Sequence, residues 1–370
     1  LRAGGAARDK EDLRQASAPP TGLKDVVGRD LPHGMMQVWL LPMAGGEAQP
    51  LTSLPEDVSD LTWSPGSDRL CVVSAATSAK REAPRPEAAE PPRRDARLID
   101  ELGYQLNGAG FIYEQKTNLW VVDVADGATR RLTSGRSRDG QPAWSPDGKR
   151  IAFTADRGSN PDLAWRSDIH VVAAAGGKPV RVTAGDERAF MRPAWSPDGK
   201  LIAAAGHRLE AGNPTRDDVH VFRPRAEQKG KNLTAEADLF VDAAMNSDLY
   251  SAPSAGPVWA PDGEAIYFNA PVDGSYELWR VRLDDGRVER LTKGRHMLVA
   301  PSVAAAGPRL VVAGIRGTAT TPPDVVSFTV AGPGKIPATP VGPRAMKKLT
   351  DLMGAAWQDI DIIEPQEVWT

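Results

Sequence analysis

The segment PAWSPDGKRIAF occupies residues 142–153, and PAWSPDGKLIAA occupies 193–204. Two further copies flank them, LTWSPGSDRLCVV at 61–73 and PVWAPDGEAIYF at 257–268. In Ser-Pro-Asp-Gly the proline presets φ for the first corner of a tight turn. The aspartate accepts the second corner, and the glycine takes the left-handed position that follows. Beyond the turn, apolar residues recur every second position: Leu70 and Val72, Ile151 and Phe153, Ile266 and Phe268. That period is a strand.

A second phrase alternates with the first. It reads QVWLLPMAGGEAQPLT (37–52), NLWVVDVADGATRRLT (118–133) and DIHVVAAAGGKPVRVT (168–183). It returns as DVHVFRPRAEQKGKNLT (218–234) and ELWRVRLDDGRVERLT (277–292), and a decayed sixth copy ends at Leu349-Thr350. An apolar strand, a Gly-containing turn and a second strand ending at threonine make a β-hairpin. One unit is therefore a turn-strand, a variable link and a hairpin, about four antiparallel strands. Units of this size, each with an apolar face to cover, close radially and protect their short edges. The expected fold is all-β, a β-propeller of six or seven four-stranded antiparallel blades. A seventh blade has room in the first 36 residues or in 301–345.

The bulk composition agrees. The 370 residues are 41% hydrophobic and 25% charged, with 35 glycines and 32 prolines, as many short strands joined by turns require. Forty-five basic and 48 acidic residues give a net charge of -3, which leaves no basic footprint for nucleic acid. There is no apolar run of about 18 residues to span a membrane. Cys71 is the one cysteine, so no intrachain disulfide marks an oxidising compartment. The opening LRAGGAARDKEDLRQ has neither a signal-peptide apolar region nor an initiator Met, as in a fragment or a processed chain of cytoplasmic location.

Two inserts break the repeat. Residues 77–117 hold a Pro-, Glu- and Arg-rich loop followed by ARLIDELGY, which has the composition of a short helix. Residues 235–253 separate Thr234 from the last WxPDG copy. Inserts on one rim are the natural seats of function. In the first, Arg93, Arg94 and Arg97 can pair with a peptide carboxylate. Tyr104 and Tyr113 can supply apolar area with a hydroxyl. These five are the candidate substrate-gating residues. In the second, Asp238, Asn246 and Asp248 read as Asx turns.

Other conspicuous residues read as architecture. Asp147, Asp198 and Asp262 recur because the turn needs them. His170 and His220 fill the place of Trp39, Trp120 and Trp279 in sister hairpins, so packing is their expected role. His33, His207 and His296 lack metal-ligand spacing, and neither a metal nor a cofactor is expected. Cys71 aligns with Ala152 in a strand, as a buried, inert thiol would. The ten tryptophans are expected mostly in the core.

The WSPDG units and the hairpins ending in Leu-Thr resemble the PD40 repeats of TolB and of prolyl-oligopeptidase-type serine peptidases. ARLIDELGYQLNGAGFIYEQKTNLWVVDVADG and KKLTDLMGAAWQDIDIIEPQEVWT are similar to the acylaminoacyl-peptidase-like members in particular, and the resemblance runs from roughly 37 to 370. It implies a propeller that caps an α/β-hydrolase domain and admits only short or unfolded peptides. A hydrolase nucleophile needs the strained elbow G-x-S-x-G, which is absent here. No catalytic residue carries over, and the chain by itself is expected to be inactive.

The domains follow: an irregular segment over 1–36, a propeller over 37–350, and an exit segment over 351–370 leading toward a hydrolase domain absent from this chain. The partners implied are that domain, short peptides and further copies of the chain, with neither nucleic acid nor membrane. A TolB-like scaffold for protein–protein interaction is the alternative. A metal-dependent lactonase or lyase is a third reading, and it would need ligands converging on the propeller axis.

Overall fold

The computed structural model describes residues 36–76, 99, 101–106, 110–113, 115–158, 161, 166–185, 188–209, 215–242, 255–307, 309–332, 340–354, 357, 360–366 and 368. The chain divides into two compact units, Leu1–Gly140 and Gln141–Thr370.

In the first unit, β1 (Trp39–Leu40) and β2 (Gln49–Pro50) form a two-stranded ribbon. The first four-stranded sheet follows, with β3 (Val58–Trp63), β4 (Arg69–Ala75), β7 (Thr117–Asp123) and β8 (Thr129–Arg131) in antiparallel order. Between β4 and β7 lies a small hairpin of β5 (Gln105–Leu106) and β6 (Gly110–Phe111).

The second unit repeats the pattern four times. Its sheets are β9 (Gly140–Trp144), β10 (Arg150–Ala155), β11 (Asp168–Ala173) and β12 (Val180–Arg181), then β13 (Arg188–Trp195), β14 (Ile202–Arg208), β15 (Asp218–Phe222) and β16 (Lys231–Asn232). Next come β17 (Val258–Trp259), β18 (Ala265–Val272), β19 (Ser275–Arg282) and β20 (Val288–Arg290). The last is β21 (Met297–Ala306), β22 (Arg309–Gly317), β23 (Asp324–Ala331) and β24 (Lys347–Lys348). The described strands within 301–345 thus belong to the blade that ends at Leu349-Thr350. Residues 1–35 lie outside the described part.

The WSPDG phrase builds what it encodes. Ser145 Oγ donates to Asp147 Oδ1 at 2.6 Å, and the amides of Lys149 and Arg150 close on the Asp147 and Ser145 side chains. Ser196 and Asp198 repeat this at 2.7 Å, and the Ser196 hydrogen bond lowers the Asp198 carboxyl to about 2. Gly148, Gly199 and Gly263 hold the left-handed corner, with φ between 67° and 77°. The three aspartates are turn residues, as expected.

At two of these turns the preceding tryptophan ties neighbouring blades. Trp195 Nε1 donates to the Ala143 carbonyl at 3.0 Å, and Trp259 Nε1 donates to Ala194 at 2.9 Å. Each acceptor is the residue just before the equivalent tryptophan of the preceding blade. Trp144, Trp195 and Trp259 are buried, whereas Trp39 and Trp63 of the first unit are 40% and 47% exposed, so the expectation of core tryptophans fails there.

The alternating pattern after the turn understates burial. Ile151, Ala152 and Phe153 are all fully buried, as are Ala265, Ile266 and Tyr267. A second strand covered on both faces by adjacent blades has no solvent side. The resulting cores run between sheets. Ile169 and Val171 pack with Phe190 and Ile202, and Val219 packs with Ile266 and Phe268.

The terminal threonine of the second phrase explains itself in six places. Thr52, Thr133, Thr234, Thr292 and Thr350 each accept, on Oγ1, the amide hydrogen of Val38, Leu119, Val219, Leu278 and Val325 respectively, at 2.9–3.0 Å. The same hydroxyl donates to the side chain one residue earlier: Gln37 at 2.9 Å, Asp218 at 2.7 Å, Glu277 at 2.5 Å and Asp324 at 2.8 Å. Thr183 does so to Asp168 at 2.6 Å. In five of the six hairpins a threonine hydroxyl, buried in all but Thr350, therefore clips the end of the outer strand to the start of its partner through one acceptor side chain. In the sixth, Asn118 receives Arg131 Nη2 at 2.5 Å instead.

Candidate functional site

Arg93, Arg94 and Arg97 of the first insert lie outside the described residues, as do Asn246 and Asp248 of the second. Tyr104 is 38% exposed and Tyr113 half-buried. The described part of ARLIDELGY, residue 99 and residues 101–104, contains no helix. The β5–β6 hairpin follows directly, flanked by a hydrogen bond from the Ile112 amide to the Tyr104 carbonyl at 2.8 Å. Glu101 anchors the hairpin. It pairs with Lys116, and Arg136 and Arg138 stand 3.8 and 4.0 Å from its carboxylate. Arg138 also donates to the Gly103 and Ile112 carbonyls at 3.2 and 3.0 Å. Among the described residues, exposed Tyr104 thus flanks a hairpin braced by Glu101, Lys116 and Arg138.

The second insert begins at a polar cluster that the spacing of residues did not disclose. Just before each Pro-x-Trp the inner strand turns through positive φ, at Gln141 (51°), Arg192 (53°) and Gly256 (69°). Gln141 Oε1 accepts the Arg192 amide at 2.7 Å. A Cβ added to Gly256 would stand 2.5 Å from Arg192 Cβ, so only glycine fits behind that arginine. Arg192 Nε faces Asp242 Oδ2 at 4.0 Å, too long for a hydrogen bond. Asp242 has φ of 61° and donates its amide to the Asn269 carbonyl at 2.8 Å. Its side chain is 5% exposed. Burial pushes the Asp242 carboxyl up to about 6 against the opposing pull of Arg192. Burial, together with the neighbouring Asp242 charge, raises the Tyr276 phenol.

Beside it, His207 Nδ1 donates to Asp217 Oδ1 at 2.6 Å. Burial raises the Asp217 carboxyl while the His207 hydrogen bond lowers it, and burial prevails. His207 Nε2 is buried with no hydrogen-bond partner. A His–Asp pair is two-thirds of a nucleophilic triad. Here no hydroxyl or thiol meets Nε2 among the described residues, so the pair has no attacking group there.

The Asp242 geometry gives a pH signature. The folded carboxyl binds its proton more tightly than the unfolded one, whose ordinary value is 3.8. Stability from this group therefore rises as pH falls through about 6 and is lost again as pH rises. Asp242→Asn is expected to remove that slope. Denaturant melts at neutral pH and near pH 5 would show the wild type gaining on the variant by about 1 kcal/mol. Parallel curves for the two proteins would contradict the assignment.

His33 lies outside the described residues, and the other three histidines are held by packing or by a hairpin hydrogen bond. His170 stacks on Phe153 with centroids 5.4 Å apart, and burial depresses its imidazole to about 4. His220 sits edge-on to Phe190 at 4.9 Å. His296 Nε2 donates to Glu277 Oε2 at 3.1 Å inside a hairpin clip. Among the described residues no three His, Cys, Asp or Glu side chains come together as metal ligands. Cys71 is buried, and burial raises its thiol far above the ordinary range.

Residues 109–223 match the PD40 model, described as the TolB β-propeller domain. An uncharacterized peptidase, YuxL, of Bacillus subtilis is 29% identical over 140 residues, 37% of this chain and 20% of that protein. Dipeptidyl-peptidase 5 of Porphyromonas gingivalis is 29% identical over 157 residues, 42% of this chain and 21% of that one. In fold, the acylaminoacyl peptidase of Pyrococcus horikoshii is similar with a TM-score of 0.59, at 18% identity, over 89% of this chain and 44% of that one. The chain thus aligns with about a fifth of the curated peptidases and under half of the archaeal enzyme. The fold is a β-propeller, and its residues 109–223 match the PD40 repeat. No helix among the described residues is long and apolar enough to cross a membrane.

Proposed function

We propose that this propeller is the non-catalytic, substrate-selecting part of a serine peptidase of acylaminoacyl-peptidase or prolyl-oligopeptidase type. The observation that carries the reading is the pairing of PD40 blades similar to peptidase propellers with a sequence free of any G-x-S-x-G elbow. The chemistry then belongs to an α/β-hydrolase domain outside this chain, and the propeller decides which peptides reach it. Residues 351–370 are its connection to that domain. They are tied back to the last blade by Trp357, whose indole donates to the Thr320 carbonyl at 2.9 Å. The first insert, with Arg93, Arg94, Arg97, Tyr104 and Tyr113, is the gating element.

Two measurements test this. The coding sequence after Thr370 should continue into a domain with G-x-S-x-G followed by Asp and His. The purified 370-residue chain should neither hydrolyse acyl-aminoacyl or short peptides nor react with a fluorophosphonate probe. In the full-length gene product, Tyr104→Ala and Tyr113→Ala should change KM for longer peptides, on the order of several-fold, and leave kcat for the shortest substrate unchanged. Uniform loss of kcat on all substrates would contradict gating.

The second reading, a TolB-like scaffold for protein–protein interaction, is favoured by the PD40 match over 109–223. A stop codon at 370 with a stable protein partner would select it.

A further inference from the structure

The hairpin loops differ in length and in charge. The loops joining β7 to β8 and β19 to β20 run over 124–128 and 283–287, each a five-residue Gly turn. The loop between β15 and β16 runs over 223–230, eight residues reading RPRAEQKG. With Lys231 it brings Arg223, Arg225 and Lys229 to one groove of about 500 Å³. All four cations are exposed. The floor is apolar, formed by Leu201 and buried Val221 and Leu233, with Leu283 of the next blade closing the far side.

The groove is cationic without an internal counter-charge. None of its eleven lining residues is Asp or Glu. Glu227, the one acid of the loop, is turned to Arg181, whose Nη2 and Nε donate to it at 2.9 and 3.0 Å. Asp284, on the neighbouring hairpin, is held by Arg282. Of the four cations, Arg225 donates only to Gln228 Oε1 at 3.3 Å, and none forms an ion pair among the described residues. The loop shape is fixed from beneath. Gly230 has φ of 74°, and a Cβ there would stand 2.3 Å from the Phe222 ring. The backbone therefore lies directly on Phe222, which holds Lys229 and Lys231 over the groove.

In a chain of net charge -3, four uncompensated cations around an apolar floor form a site of stated chemistry. We propose that this groove docks an extended acidic peptide segment of a partner protein, with carboxylates on the Arg and Lys rim and alternate apolar side chains on the Leu and Val floor. The volume suits a few side chains. The floor has leucine and valine in place of the open aromatic platforms that hold single-stranded bases, which favours a peptide over nucleic acid. This inference is independent of the peptidase reading.

The test is fluorescence anisotropy of a labelled Glu-Leu-Glu-Leu-Glu peptide titrated with the 370-residue chain. Saturable binding is expected, weakened at least about tenfold in Arg225→Glu/Lys229→Glu and again at about 1 M salt, where screening acts within about 3 Å. Both substituted residues are exposed, and an unchanged thermal melt would show that the variant folds. A Lys-Leu-Lys-Leu-Lys peptide should not bind. No saturable binding of the acidic peptide would overturn the proposal, as would equal binding by the variant. Tighter binding of single-stranded DNA or of anionic vesicles than of the peptide would overturn it too.

Discussion

Glu277→Ala is expected to produce a large loss of stability. Glu277 is fully buried and is the acceptor at the centre of its hairpin clip. Thr292 Oγ1, Arg290 Nη2, the Gly294 amide and His296 Nε2 all donate to it, at 2.5, 3.0, 2.9 and 3.1 Å. Burial works to raise its carboxyl, but the His296 and Thr292 hydrogen bonds outweigh burial and hold it below the ordinary range. Truncation leaves a buried hydroxyl, a ring nitrogen and a guanidinium without their acceptor. The expected cost is about 3–5 kcal/mol. Thr292→Val removes one donor and one acceptor from the same clip and should cost about 1–2 kcal/mol. Because the Glu277 carboxyl is lowered, its contribution is present at neutral pH and fades as pH falls below the ordinary carboxylate range. The gap between wild type and Glu277→Ala should therefore narrow in acid. Denaturant midpoints across pH measure this, and a pH-independent gap under about 1 kcal/mol would contradict the clip.

The second large effect concerns Arg280, a fully buried cation on β19. Its Nε donates to Glu289 Oε2 at 2.6 Å, and its Nη1 reaches the Ala331 and Gly332 carbonyls at 3.0 and 3.1 Å. Those carbonyls belong to the end of β23, so one guanidinium joins two adjacent blades. Glu289→Ala strands that charge and should cost about 3–5 kcal/mol. Arg280→Leu/Glu289→Leu removes both charges and should cost much less than the single change, because no buried ion is left without its partner. Equal losses in the two variants would show that packing, rather than charge, sets the cost.

Much of this architecture was legible because repetition separates what a blade needs from what varies. Ser-Pro-Asp-Gly read correctly as a turn, and its aspartates as turn residues. The hairpins fell where the Leu-Thr ends placed them, including the decayed copy at Leu349-Thr350. The same repeats carried a signal that was passed over. Each second phrase begins with Gln37, Asn118, Asp168, Asp218, Glu277 or Asp324, all side chains with an acceptor oxygen. That column is the partner of the terminal threonine or, at Asn118, of the cation two places before it.

Other features depend on distance rather than on pattern. His207 meets Asp217 across strands, and Arg192 meets Asp242 across an insert, so neither pair has a characteristic spacing. Of ARLIDELGY, the described residues 99 and 101–104 carry no helix, and Glu101 there is held by Lys116, a tertiary partner that local propensity does not weigh. Of the gating residues, Tyr104 is exposed. Its role rests on the proposed function.

That function is tested most directly by comparing peptide hydrolysis by the full-length gene product with hydrolysis by residues 1–370 alone, on an acylated dipeptide and on a denatured protein chain. The account predicts no turnover by residues 1–370 on either substrate, and turnover of the dipeptide in strong preference to the long chain by the full-length product. Turnover by residues 1–370, or equal use of both substrates by the full-length product, would contradict it.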